Sequence, residues 1–424
     1  MIVHSDEATL VYRLSESRLE GDVRVSGAKN SALRLLAASL LTAETIEILN
    51  YPSRLRDAEI HVAMLERLGK SCTVGADWIR IEEVVDPSTR LTWEGRSIRN
   101  TLLILGALTA RHGRGSVPLP GGCRLGDRKY DLHVQVLEQL GARVWEEETY
   151  LCAEGQLRGA DIHLPLRSTG ATENALLCAS LAEGETRIWN PHVRPEILNL
   201  CDLIRLMGAE VHVHGQEHIH VVGTTRLGGA KVRTLPDNME ALTWLVGSVM
   251  TRGDVEIHDF PFDDLEVPLI HLRESGARLY RGDNSVVVRG GRCLPIEIST
   301  GPYPGINSDM QPLFAAWGTM AHGQSRIIDL RFPGRYAYAS QFAAMGAKMK
   351  IEGNLLYIDG GDSLVGASVR APDLRAGVAL ALAAMTARGT TTIADAWQIE
   401  RGYDSFIGKL RSLGGSVEVV GHDK

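Results

Sequence analysis

The chain has 424 residues, 44% hydrophobic and 23% charged, with 45 Lys and Arg against 52 Asp and Glu. This balance excludes a disordered chain, and the net charge of −7 argues against a dedicated nucleic-acid binder. No stretch approaches the roughly 20 apolar residues of a membrane span, the first ten residues lack the basic start and apolar run of a secretory leader, and the six cysteines (Cys72, Cys123, Cys152, Cys178, Cys201, Cys293) show neither zinc nor disulfide-framework spacing. A cytoplasmic, non-membrane protein is the expectation.

Along the chain one pattern recurs. An Ala/Leu-rich helix over 32–41 is followed by a β run at 45–49 and a second helix that stops at Leu68-Gly69. Further stops fall at Leu140-Gly141, Met207-Gly208, Ser275-Gly276, Met345-Gly346 and Leu413-Gly414, a period of roughly 70 residues. Segments 175–181 and 378–385 are apolar on all sides, which predicts buried helices. Short β runs follow at 186–189, 255–258 and 390–393. The second helices, such as 132–140 and 404–413, are amphipathic and end at Gly, which accepts a left-handed C-cap. Three copies precede a polar, Gly-rich region at 223–237 and three follow it. The sequence therefore predicts an α/β protein of two lobes, 22–235 and 236–424 with 1–21, each holding three βα units with helices inside a ring of small sheets.

A repeat architecture alone serves a binding scaffold as well as an enzyme. Polar residues at the repeat junctions favour an enzyme. In Gly21–Asn30 a strand meets a Ser-Gly turn and the first buried helix, which places Lys29 at a helix N-terminus suited to phosphate. The alternative is a solvated Lys29 with Asn30 as N-cap. In the run from Leu119 to His133, three glycines and a proline surround Cys123, and Arg124, Arg128 and Lys129 would activate its thiol. Otherwise Cys123 is a small buried hydrophobe, as the other five cysteines are expected to be. Between Gly301 and Gln311, Ser308 and Asp309 are expected to cap the next helix, or Asp309 to act as a general base. Arg370, Arg375 and Arg401 open further helices and suggest a converging anion site.

Eight ordered motifs then accumulate: Ser26-Gly27-Ala28-Lys29-Asn30, Leu119-Pro120-Gly121-Gly122-Cys123, Asp131-Leu132-His133, Gly170-Ala171-Thr172-Glu173-Asn174, Tyr303-Pro304-Gly305, Ser308-Asp309-Met310-Gln311, Asp373-Leu374-Arg375 and Arg401-Gly402-Tyr403. In this order they resemble the UDP-N-acetylglucosamine 1-carboxyvinyltransferases, a family of enolpyruvyl transferases whose shikimate-pathway sister shares its fold. The resemblance spans essentially the whole chain. It implies a two-lobed inside-out α/β barrel built from six βα repeat units. It also implies transfer of the enolpyruvyl group of phosphoenolpyruvate to the 3-hydroxyl of UDP-N-acetylglucosamine with release of phosphate, the first committed step of peptidoglycan precursor synthesis, with no metal and no cofactor.

Carried over by position, the resemblance makes Cys123, Asp309 and Lys29 catalytic. Lys29, Arg99, Arg128, Asp373, Arg375 and Arg401 would bind phosphoenolpyruvate. Asn30, Arg128, Asp131, Leu132, Ser168, Thr169, Gly170, Asp309 and Arg331 would bind the nucleotide sugar. The family's sensitivity to fosfomycin-like epoxides would fall on Cys123, and acceptor binding would close the lobes and fold segment 120–126 over the site. Lys129-Tyr130 and Asn100-Thr101 depart from the family pattern and motivate an alternative: a paralogue acting on another nucleotide acceptor such as UMP.

Overall fold

The computed structural model describes residues 10–96, 98–119 and 130–421. The chain divides into two compact units. One is Gly27–Leu235; the other joins the chain up to Ser26 with the chain from Pro236 onward. The first junction thus lies at Ser26–Gly27, not at the expected residue 22. The reason is long-range pairing: strand Glu20–Arg24 lies parallel to Asp254–His258, with Val23 opposite Ile257. The polar stretch 223–237 contains a strand of its own, Ala230–Arg233, which runs parallel to Ile46–Leu49.

Each unit holds three sheets among the described residues. Five of the six repeat one order, an edge strand parallel to its neighbour and then two antiparallel strands. The sheet built on Arg114–Pro118 keeps only a bridge, Arg90 to Ser116, where the parallel edge strand would lie. Val11–Ser15 completes the last repeat, pairing antiparallel with both Thr390–Ala394 and Val417–Val420. The strands alternate as a half-buried sheet requires: in Asp254–His258, Val255 and Ile257 are buried while Asp254 is exposed.

The helices that start each repeat are buried over most of their surface. In the unit containing Pro236 they are Asn238–Met250, Gln311–Met320 and Leu374–Ala384, which pack on one another around the fully buried Trp244 and Trp317. In Gly27–Leu235 they are Lys29–Ala38, Thr101–His112 and Thr169–Ala179. Each unit is therefore turned inside out, with helices in the core and sheets outside. Fully burying one large apolar side chain contributes about 1.5–3 kcal/mol, so these helices dominate the stability of each unit.

Two backbone devices punctuate the repeats. Gly69, Gly141, Gly208, Gly276, Gly346 and Gly414 all adopt positive φ, between 83° and 108°. This is the left-handed stop predicted for the second helices, and a side chain there would be strained. Asn50, Asn190, Asp259 and Asp395 also have positive φ, 50° to 57°, directly after the first strand of their repeats. Asn and Asp tolerate that conformation better than other side chains.

Candidate active site

Each unit gathers polar groups at the N-terminal ends of its central helices. In the unit containing Pro236 the centre is Arg375, only 1% exposed. Asp373 caps its helix, Oδ1 accepting the N–H groups of Arg375 (2.8 Å) and Ala376 (2.9 Å). The Arg375 guanidinium lies 5.3 Å from the centre of the Tyr403 ring, and its Nε is 3.6 Å from Asp309 Oδ2. Burial opposes its charge, but Tyr403, Asp309 and Asp237 outweigh burial and raise its pKa above the ordinary value. Nε and Nη1 have no hydrogen-bond partner among the described residues. A buried, permanently charged fork with unused donors suits a carboxylate or phosphate.

Asp309 accepts a hydrogen bond from Arg335 Nη1 at 2.7 Å, and its side chain is 28% exposed. The expected capping role of Ser308 and Asp309 is not observed. Helix Gln311–Met320 starts after Met310 without a side-chain cap, Ser308 Oγ donates to the buried Asp329, and the Asp309 N–H donates to Asn307 Oδ1. Asp309 is thus released from helix capping and turned towards two guanidinium groups. Arg335, which sequence reading overlooked, is delivered by a turn that Asp329 organises: its Oδ1 accepts from Thr300 Oγ1 (2.8 Å) and from the N–H groups of Arg331 (2.9 Å) and Phe332 (2.8 Å). Arg331 itself is exposed, its guanidinium 5.4 Å from the Phe332 ring centre. Arg401 is half-buried and donates to Gln398 Oε1 at 2.9 Å.

In Gly27–Leu235 the turn before Lys29 depends on a close approach, since a Cβ on Gly27 would lie 1.8 Å from Asn50 O. Lys29 is buried at the first turn of its helix, and its Nζ pairs with the buried Asp57 Oδ2 at 2.7 Å. Asn30 is not the cap, because the helix begins at Lys29 after Ala28. Asp57 was also missed, lying within the second helix Arg56–Arg67. Arg34 Nε bonds Glu173 Oε1 at 2.6 Å, and burial raises the Glu173 pKa despite that partner.

Around the second and third central helices the structure brings Arg99, His133 and Gly170 together. His133 is buried against Gly170, where a Cβ would lie 2.9 Å from Nε2. Burial first, then the charges of Arg99 and Arg34, hold its pKa at about 3, so it is neutral at physiological pH. Ser168 caps helix Thr169–Ala179 and Thr169 Oγ1 bonds His192 Nδ1 at 2.9 Å, while Asp131 is exposed and Leu132 half-buried at the start of Asp131–Gln139. The two departures from the family pattern have local partners. Asn100 Nδ2 donates to Leu33 O (2.8 Å) and His61 Nδ1 (2.9 Å), and the Tyr130 hydroxyl donates to Glu146.

Cys123, Arg124, Arg128 and Lys129 lie outside the described residues. The other five cysteines are free thiols; burial pushes Cys72, Cys178, Cys201 and Cys293 up to about 12, which makes them inert at neutral pH.

Comparison with known proteins gives the family and the fold. The family model for EPSP synthase (3-phosphoshikimate 1-carboxyvinyltransferase) matches residues 15–410. A UDP-N-acetylglucosamine 1-carboxyvinyltransferase from Finegoldia magna is 38% identical over 413 residues, 95% of this chain and 96% of its own. One from Carboxydothermus hydrogenoformans is 39% identical over 408 residues, with the same shares covered. Among solved structures, the enolpyruvyl transferase NikO from Streptomyces tendae superposes with a TM-score of 0.86 at 23% identity, covering 98% of this chain and 99% of its own. An EPSP synthase from Acinetobacter baumannii gives 0.76 at 19% identity, covering 97% and 100%. These two structures share the fold, the two-lobed inside-out α/β arrangement of six repeats.

Proposed function

The chain belongs to the enolpyruvyl transferase family, and from that premise we propose that it transfers the enolpyruvyl group of phosphoenolpyruvate to the 3-hydroxyl of UDP-N-acetylglucosamine, releasing phosphate. The observation that carries the acceptor is the 37–39% identity to UDP-N-acetylglucosamine 1-carboxyvinyltransferases over at least 95% of this chain. The product would enter peptidoglycan precursor synthesis, and the reaction would take place in the cytoplasm.

The chemistry assigns each residue a task. Cys123 protonates the methylene carbon of phosphoenolpyruvate, which develops cationic character at the neighbouring carbon. Asp309 takes the proton of the sugar hydroxyl as its oxygen attacks that carbon, giving a tetrahedral ketal. A methyl proton is then lost, the C–O bond to phosphate breaks, and the enol ether forms again. Lys29, Arg128 and Arg401 hold the phosphate. Arg375 holds the carboxylate, oriented by the Asp373 cap, and Arg99 adds positive charge beside the bound anion. Asn30, Asp131, Leu132, Ser168, Thr169, Gly170 and Arg331 receive the nucleotide sugar. The unused donors of Arg375 and the release of Asp309 from capping support these roles.

Acceptor binding is proposed to carry segment 120–126 over the substrates, with protection of Arg124 and Arg128 from trypsin as its signature. The test of function is phosphate release from phosphoenolpyruvate with a panel of UDP-sugars, UMP and shikimate 3-phosphate. Release that needs UDP-N-acetylglucosamine supports the reading; release only with UMP would assign the chain to another acceptor.

A further inference from the structure

The sheet of strands Glu210–His214, His218–Val222, Glu185–Trp189 and Asp161–His163 buries Val211, Ile219, Val221, Thr186, Ile188 and Ile162. Its alternate residues therefore point outward, and the register sets them in rows. His214 stands opposite His218, and His212 opposite His220. Because i and i+2 share a face, the four imidazoles form a two-by-two grid. The rings lie near-parallel in pairs: His214 and His218 stack closely with centroids 4.3 Å apart, and His212 and His220 are 6.1 Å apart. Trp189 flanks His218 at 4.7 Å.

Two features of this grid are those of a ligand set. Glu210 accepts from His212 Nε2 at 2.7 Å, and Glu185 lies 3.2 Å from His220 Nε2. A carboxylate on Nε2 fixes the proton there and leaves the Nδ1 lone pair for a metal, the outer partner that ligating histidines commonly have. Separately, His218 Nδ1 is buried and has no hydrogen-bond partner among the described residues. Opposed positions on antiparallel strands place Cβ atoms about 5 Å apart, close enough for two imidazole nitrogens to meet one ion at about 2.0–2.1 Å each.

We propose that this face binds a divalent transition-metal ion of the kind that imidazole prefers, Zn²⁺, Ni²⁺ or Cu²⁺, through His214, His218 and one or both of His212 and His220. Among the described residues no three donors already surround one point, so binding turns these surface rings out of their stacks and onto the ion. Arg187, opposite His220, favours the His214–His218 end of the grid. None of these residues belongs to the proposed transfer machinery, so the metal has no step in that reaction.

Calorimetric titration of the full chain with ZnCl₂, and electron paramagnetic resonance of the same protein loaded with Cu²⁺, test the proposal. The parent should bind with nitrogen hyperfine structure in the Cu²⁺ spectrum. The double variant His214→Ala/His218→Ala should lose affinity by about tenfold or more, while its phosphate release from phosphoenolpyruvate stays at the parent's level and so reports a folded chain. The single variant His214→Asn provides the same comparison with the least disturbance of the sheet. No binding by the parent, or equal affinity in parent and variants, would overturn the proposal; the latter would place the ion elsewhere, for example on thiols.

Discussion

Mild acid should destabilise the Gly27–Leu235 unit through two imidazoles. His61 and His133 are buried, and that burial, aided by Arg34 at both and by Arg99 at His133, holds each pKa at about 3. In the unfolded chain the value is about 6.5. The folded value is the lower one, so between the two the unfolded chain binds one more proton per imidazole. Stability is then fully present above pH 6.5 and falls as pH drops towards 3, by about 1.4 kcal/mol per pH unit and imidazole. From pH 7 to pH 5 the loss is about 2 kcal/mol for each, and about 4 kcal/mol together is a large share of the roughly 5–15 kcal/mol typical of a domain. The comparison is between the parent and His133→Phe, which fills the site without titrating. His133 Nδ1 has no partner among the described residues, so its loss strands no group that it was bonding. Urea unfolding, followed by hydrogen exchange in Thr169–Ala179, should show the parent losing about 2 kcal/mol more than the variant between pH 7 and pH 5. Equal losses in both proteins would refute the assignment of His133 as a buried neutral imidazole.

Other outcomes follow from the proposed function and from the described site. A fosfomycin-like epoxide should inactivate the enzyme by alkylating Cys123; an adduct at Cys72 or Cys178, found by mass spectrometry with activity lost, would remove Cys123 from the mechanism. Cys123→Asp should keep some turnover, since a carboxylic acid also donates a proton, yet escape alkylation. Asp309→Asn should lower kcat by about 10²–10⁴-fold, the usual share of a general base, and should also lower the thermal midpoint, because it removes the charge that faces the buried Arg335 and Arg375. Arg335→Ala should cost roughly 2 kcal/mol in urea unfolding because it strands a partly buried carboxylate. Gly170→Ala should raise KM for the nucleotide sugar and cost about 1–3 kcal/mol by overpacking His133.

The repeat was legible because its signals are local. A Gly at the end of each second helix, an apolar run for each buried helix and a short alternating strand can all be read within a few residues, and all six stop glycines adopt the left-handed conformation. The strand exchange was legible only in part: residues 1–21 are expected with 236–424, but the strand that closes the exchange was missed. Glu20–Arg24 finds its partner more than 200 residues away, and nothing within five residues names that partner. The same limit applies at the site. Lys29, Asp309, Asp373 and Arg375 stand in motifs at helix starts, whereas Arg335 sits in a Phe-Pro-Gly-Arg-Tyr run that reads as an ordinary surface turn. Its burial depends on Asp329, the acidic residue after the first strand of its repeat, at the place where Asn50, Asn190, Asp259 and Asp395 stand in theirs. That recurrence of Asn or Asp was the available signal. The Ser308 and Asp309 cap failed for a related reason: Asp329, 21 residues on, competes for the Ser308 hydroxyl, and Arg335 competes for the Asp309 carboxylate.

The most direct test of the proposed reaction is to let the candidate acceptors compete. The full chain is incubated with phosphoenolpyruvate labelled with carbon-13 and equal amounts of UDP-N-acetylglucosamine, UMP and shikimate 3-phosphate, and nuclear magnetic resonance identifies which oxygen gains the vinyl ether. Label on the 3-oxygen of UDP-N-acetylglucosamine, with an equal amount of phosphate released, is the predicted result. Label on UMP or on shikimate 3-phosphate, with the UDP-sugar recovered unchanged, would contradict it.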